Sequence, residues 1–153
     1  MRRLVLLAVL VIAAPAARAD VGLGLFVGEP TGLDLKIGLS PRGGLDMLFG
    51  WDTLRDGRDH YAHVTYLATL AVGHGESVNV PIRIGIGGAI YDDRNFDNGT
   101  NLGVRAPLQI GLKFRRTPIE LYGEVALLVT FVGDHRYRDD IDLQGGIGLR
   151  FYF

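Results

Sequence analysis

The sequence predicts an all-β fold: an eight-stranded antiparallel up-and-down barrel that crosses a membrane, after a cleaved leader. Three observations carry this. Apolar residues alternate with polar residues or Gly at period two in one segment after another, the mark of strands with two unlike faces. The last segment, Ile141 to Phe153, ends on Leu149-Arg150-Phe151-Tyr152-Phe153. Such an aromatic edge invites aggregation in water, but in a closed barrel it has a strand partner and an apolar surrounding. Finally, no segment beyond the leader has the roughly 18 consecutive apolar residues of a membrane helix, so any crossing must be by strands.

The leader is residues 1–19. Arg2 and Arg3 form a positive start, Leu4 to Ala14 an apolar run too short to span a bilayer as a helix, and Ala17-Arg18-Ala19 a small-residue cleavage site. Cleavage there makes Asp20 the first residue and leaves residues 20–153 as one barrel domain. No Cys follows the site, so neither a lipid anchor on Cys nor a disulfide framework is expected. A net charge of −1 and a pI of about 6.4 give no electrostatic case for nucleic acid.

In the first strand Val21, Leu23, Leu25 and Val27 share one face, and Gly22, Gly24, Phe26 and Gly28 the other. Glu29 to Gly32 reads as a tight turn. The second strand sets Leu33, Leu35, Ile37 and Leu39 against Asp34, Lys36 and Gly38. After a turn at Ser40 to Gly44, Leu45, Met47, Phe49 and Trp51 oppose Asp46, Leu48, Gly50 and Asp52. A polar loop, Leu54 to His60, precedes a fourth strand over 61–72. There Val64, Tyr66, Ala68 and Leu70 oppose His63, Thr65, Leu67 and Thr69, the weakest alternation of the set. Gly73 to Asn79 turns the chain.

The fifth strand puts Val80, Ile82, Ile84, Ile86 and Ile90 against Arg83, Gly85, Gly87 and Ala89. Asp92 to Asn101 is the longest loop. The sixth strand opposes Leu102, Val104, Leu108, Ile110, Leu112 and Phe114 to Gly103, Arg105, Pro107, Gln109, Gly111 and Lys113. Arg115 to Pro118 turns into the seventh, where Ile119, Leu121, Val125, Leu127, Val129 and Phe131 oppose Glu120, Tyr122, Glu124, Ala126 and Thr130. Gly133 to Asp140 leads to the last strand. With an even strand number both termini lie at one end. The segments near 28–32, 54–60, 92–101 and 133–140 then face outward, and the turns near 40–44, 73–79 and 115–118 face the periplasm.

Alternation alone does not say which face is inside. Two features place the polar face there. Glycine, 22 of 153 residues, crowds the polar face at positions such as Gly24, Gly85, Gly111 and Gly148. On a water-facing strand surface it would pack nothing, whereas in a narrow barrel it makes room for a long neighbour. The apolar face carries large residues on every strand, too many for an eight-stranded interior but suited to lipid.

The segments Gly28 to Leu33, Pro81 to Gly88, Gly103 to Pro107, Pro118 to Glu124 and Gly146 to Phe153 carry a resemblance. The mature chain resembles small eight-stranded outer-membrane proteins of the OmpA/OmpX type, and more closely a group of short bacterial outer-membrane barrels ending in a similar aromatic strand. The resemblance implies a Gram-negative outer membrane, outer-membrane lipids as surroundings, and insertion by the barrel-assembly machinery through a C-terminal signal at Leu149, Phe151 and Phe153. It implies no particular activity, and a monomer is expected.

Candidate chemistry is sparse. The expected interior charges are Lys36, Arg83, Arg105, Lys113 and Arg150 against Asp34, Asp46, Asp52, Glu120, Glu124 and Asp142. Their signs nearly balance, and buried charges must pair, so they are expected to plug the lumen; a narrow ion path along them is the alternative. A barrel hydrolase acting on lipid needs a Ser–His pair with an orienting acid. Residues 20–153 offer only Ser40 and Ser77, both in turns, with His74 and Glu76 near Ser77. His60 and His63 are three apart on a strand and face opposite sides. Asp93, Asn95 and Asp97 have calcium-loop spacing, but Asn98 stands where Gly is needed and Val104 where Glu is needed. No catalytic residue, metal site or cofactor is therefore expected. The sequence points to a non-enzymatic barrel with a structural or outer-loop binding role, set against a lipid-modifying enzyme and a soluble periplasmic carrier with an apolar lumen.

Overall fold

Period-two alternation is realised as eight strands in the computed structural model, which describes residues 20–52, 58–93, 100–132 and 141–153. They are β1 (Val21–Glu29), β2 (Thr31–Ser40), β3 (Gly43–Asp52), β4 (Arg58–His74), β5 (Val78–Asp93), β6 (Thr100–Phe114), β7 (Ile119–Val132) and β8 (Ile141–Tyr152). Each pairs antiparallel with its chain neighbours, and β8 returns to β1, so the sheet is a closed barrel. Closure removes the two edges that an open sheet would offer to other chains. The closing seam pairs Leu23 with Phe151 and Gly24 with Arg150. It is extended by the Phe153 amide, which donates to the Val21 carbonyl at 2.9 Å. The expected leader, residues 54–57 and 94–99 of the two expected loops, and the segment 133–140 lie outside the described residues.

The strands run further into the expected turns than the alternation suggests. Only Pro30 separates β1 from β2, residues 41–42 separate β2 from β3, and His60, Asp92 and Asn101 belong to strands. Polar residues at a hairpin end still extend a ladder wherever a partner backbone lies opposite, and polarity alone does not mark the stopping point. At the β1–β2 tip, the Gly28 amide donates to Thr31 Oγ1 at 3.2 Å, and that hydroxyl donates back to the Gly28 carbonyl at 3.0 Å. Pro30 is fully buried there.

The weak alternation of β4 has a structural counterpart. His63, Thr65 and Leu67 point inward, but the register with β5 shifts between Thr69 and Ala71. Such a bulge adds one unpaired residue and breaks the parity of the faces. The β5–β6 ladder lapses at Val80–Pro81 and again at Gly85–Ile86, the second lapse lying opposite Ala106–Pro107. Proline has no N–H to give the ladder.

The two faces lie as the glycine argument expects. Leu25, Trp51, Ile86, Val125, Phe131 and Ile147 are more than half exposed on the outer wall. Asp34, Arg105, Gln109, Glu120 and Arg150 are at most 1% exposed. Among the described residues few apolar side chains enter the lumen: Phe26, Leu48, Leu67, Ala89, Ala126 and Leu128 fill space between the polar ones. An apolar lumen of the kind a soluble carrier needs is not what this barrel encloses.

Candidate functional site: the ion-paired interior

Inward positions on successive strands bring long charged side chains together, and glycine opposite them provides the space. A Cβ on Gly148 would lie 2.2 Å from the Tyr122 ring, and one on Gly111 would lie 2.3 Å from Glu120 Oε1. Both glycines are therefore fixed by a neighbour that would have to move.

Arg150 on β8 is the centre. Its Nε and Nη2 bond both oxygens of Asp34 on β2, and Nη2 also reaches Asp46 on β3. Its Nη1 donates to Gln109 Oε1 at 3.2 Å and lies 3.8 Å from Glu120 Oε2. The guanidinium lies over the Tyr122 ring at 3.8 Å, and the Tyr122 hydroxyl donates to Asp34 at 2.7 Å. A planar five-donor group suits this many acceptors; a lysine ammonium would not.

A second layer lies toward the end that carries the termini. Arg83 on β5 pairs with Glu120 on β7 at 2.6 Å and donates to Gln109 Oε1 at 2.9 Å. The Tyr152 hydroxyl donates to Glu120. A third layer lies toward the opposite end. Arg105 pairs with Glu124 at 2.6 Å and meets His63 Nε2 at 3.0 Å, while Gln109 Nε2 donates to Glu124 Oε2 at 3.0 Å. Beyond it, Tyr61 donates to Gln144 at 3.0 Å and stacks on Tyr91 with ring centroids 6.1 Å apart.

Of the sequence-expected charges, Asp34, Asp46, Arg83, Arg105, Glu120, Glu124 and Arg150 thus form one contiguous network. Lys36 is buried beside it. Asp142, opposite Leu128, is half-buried, and the Asp52 side chain lies outside the described residues. Lys113 is a correction. Its backbone stands opposite Glu120, and Gln109 stands opposite Glu124, as the hairpin geometry predicts. Yet the Lys113 ammonium pairs with Asp20 and lies 4.1 Å from the Tyr152 ring centroid, while Glu120 takes Arg83. The long lysine stem carries its charge out to the wetter mouth, leaving the buried carboxylate to the guanidinium.

Neutral side chains join the layers: Gln109, Tyr122, Tyr152, His63 and Gln144 are all buried. They share the inward parity of the charges, and the alternation already sets Gln109, Tyr122 and His63 on the polar face, but charge alone does not single them out as members of the network. Elsewhere, His74 Nδ1 bonds Asn79 Oδ1 at 3.2 Å, not Ser77, and His60 is exposed while His63 is buried.

In the middle of the lumen Arg150 and Gln109 are 0% exposed, Asp34 1% and Asp46 2%, the packing expected of a filled eight-stranded interior. The unmodified protein should accordingly show no steady large conductance in planar bilayers, and a stable, reproducible open channel would refute a closed lumen.

The fold and interior define a small closed β-barrel with an ionic core and an apolar outer wall. No family model matches the chain, and neither the curated proteins nor the solved structures yield a match.

Proposed function

We propose that the chain is a non-enzymatic outer-membrane barrel, inserted after removal of residues 1–19, with its lumen plugged by ion pairs. Its role is structural or lies in binding through the segments at the end away from the termini. The observation that supports this best is the inverted distribution of polarity: ions within, large apolar residues without. Water around such a wall would face a contiguous apolar surface far beyond what a soluble monomer exposes. Lipid would not, and the closed ladder satisfies the backbone groups that lipid cannot. Exposed aromatics gather at both ends, with Phe114, Phe151 and Phe153 near the termini and Phe49, Trp51 and Phe131 at the other rim. That matches the girdles of membrane barrels.

Membrane fractionation with a heat-modifiability gel tests the reading. The protein is expected in the outer-membrane fraction, with a folded band that shifts on boiling. Recovery as a soluble periplasmic protein would overturn it.

Two further results are expected. Deleting Phe153 removes the terminal aromatic, its T-shaped contact with Phe151 at 5.6 Å and its bond to Val21. The yield of inserted barrel should fall in a pulse-chase insertion assay, and unchanged insertion would count against an assembly signal at Leu149, Phe151 and Phe153. A tag between Asn98 and Gly99 should be reachable on intact cells, and one at Gly75 only after the outer membrane is opened. The reverse pattern would invert the orientation. The ion path remains the competing reading of the same charges, and the conductance measurement separates it from the plug.

A further inference from the structure

At the end that carries the termini, the lumen opens into a pocket of about 170 Å³, lined among others by Lys36, Ser40, Thr69, Arg83, Lys113 and Tyr152. Its charges do not cancel locally. Glu120 takes Arg83 and the Tyr152 hydroxyl, and Asp20 takes Lys113. Lys36 is left: 91% buried, its ammonium makes no hydrogen bond and no ion pair within 4 Å with any described residue. The nearby carboxylate of Asp46, opposite Lys36 on β3, is taken by Arg150. Lys36 thus carries its ammonium to the pocket with no direct partner among the described residues, and a bound anion would answer that charge.

A second, independent feature points the same way. The turns around this mouth are basic. Arg42, Arg115 and Arg116 are all exposed, against Glu76 alone among the exposed acids of those turns. Such a collar raises the local concentration of anions before any contact is made. Removal of the leader after Ala19, as proposed above, would add the α-ammonium of Asp20. That residue lies against Gly38 on the pocket wall, where the Gly38 amide donates to the Asp20 carbonyl at 3.0 Å.

We propose that this mouth is a binding site for a phosphate-type anion, with Lys36 as its charged anchor and the hydroxyls of Ser40 and Thr69 as further donors. The volume admits a small tetrahedral oxyanion or a lipid headgroup phosphate. In the orientation proposed above, the site faces the periplasm at the level of the inner-leaflet headgroups, so both sources have access to it. The free-anion arm of the test does not depend on the membrane reading.

The test uses the whole folded barrel. Inorganic phosphate is titrated into protein in neutral detergent, and phosphatidylglycerol is compared with phosphatidylcholine in nanodiscs, both followed by ³¹P NMR. Saturable binding in either arm is expected. Binding of inorganic phosphate marks a soluble ligand, and binding of phosphatidylglycerol alone marks a headgroup. Lys36→Met should weaken binding about tenfold or more, as the loss of a charged hydrogen-bonding partner does. Thr69→Val should weaken it less, and His60→Ala, at the far end, should leave it unchanged. The folded state of each variant is checked by its heat-modifiable band. Absence of binding in both arms for the unmodified protein overturns the proposal, and so does full affinity in folded Lys36→Met. If Lys36→Met does not fold, full affinity in Thr69→Val together with Ser40→Ala overturns it instead.

Discussion

Replacing Arg150 by Met should lower the unfolding free energy by about 3–5 kcal/mol, the cost of leaving buried charges without their partner. One guanidinium answers Asp34 and Asp46 together, and it also reaches Gln109 and the Tyr122 face. Methionine fills much of the volume but accepts none of that charge, so two carboxylates with at most 2% exposure would face each other across the lumen. The triple variant Arg150→Met, Asp34→Asn, Asp46→Asn removes the charges along with their counter-ion and should recover part of the loss. Urea unfolding of lipid-reconstituted protein, followed by Trp51 fluorescence, measures both. A single variant as stable as the unmodified barrel would mean that the interior network contributes to specificity or assembly and not to stability.

The sequence made the sides of the barrel readable because a strand has a period of two: parity assigned nearly every residue to wall or lumen without knowledge of its neighbours. Where parity failed, backbone irregularity was the cause. The shift after Thr69 leaves Leu70 without a partner, and no residue type announces it. Partners were harder to read than sides. The hairpin register of β6 and β7 follows from the short turn at Arg115 to Pro118, which sets Lys113 opposite Glu120. The ion pair does not follow from register, because a narrow lumen brings third strands within reach. Arg83 comes to Glu120 from β5, and Arg150 reaches Asp34 on β2 and Asp46 on β3. The same crowding admits Gln109 and Tyr122, neutral groups that a search for charge alone passes over.

Double-mutant cycles should separate these partners. Glu120→Gln and Arg83→Met each break a pair at 2.6 Å between side chains that are 0% and 6% exposed, and each leaves a charge or a donor stranded. Removed together, they strand neither, so the double variant should lose less than the sum of the singles. A coupling on the order of 1–3 kcal/mol is expected for groups in one network. Glu120→Gln with Lys113→Met, linked through the Tyr152 side chain that both touch, should couple more weakly, by about 0.5 kcal/mol. Lys113 spends its charge on Asp20 in a pair that is 30% and 59% exposed, where solvent screens the attraction. The other contacts of Glu120, with the Tyr152 hydroxyl and with Arg150 at 3.8 Å, are common to both cycles and do not distinguish them. A strong coupling to Lys113 with none to Arg83 would mean that neighbouring strands set the pairing and that the third strand does not. It would also release Asp20 and Arg83 at the mouth, changing the charge that the terminal-end pocket presents to an anion.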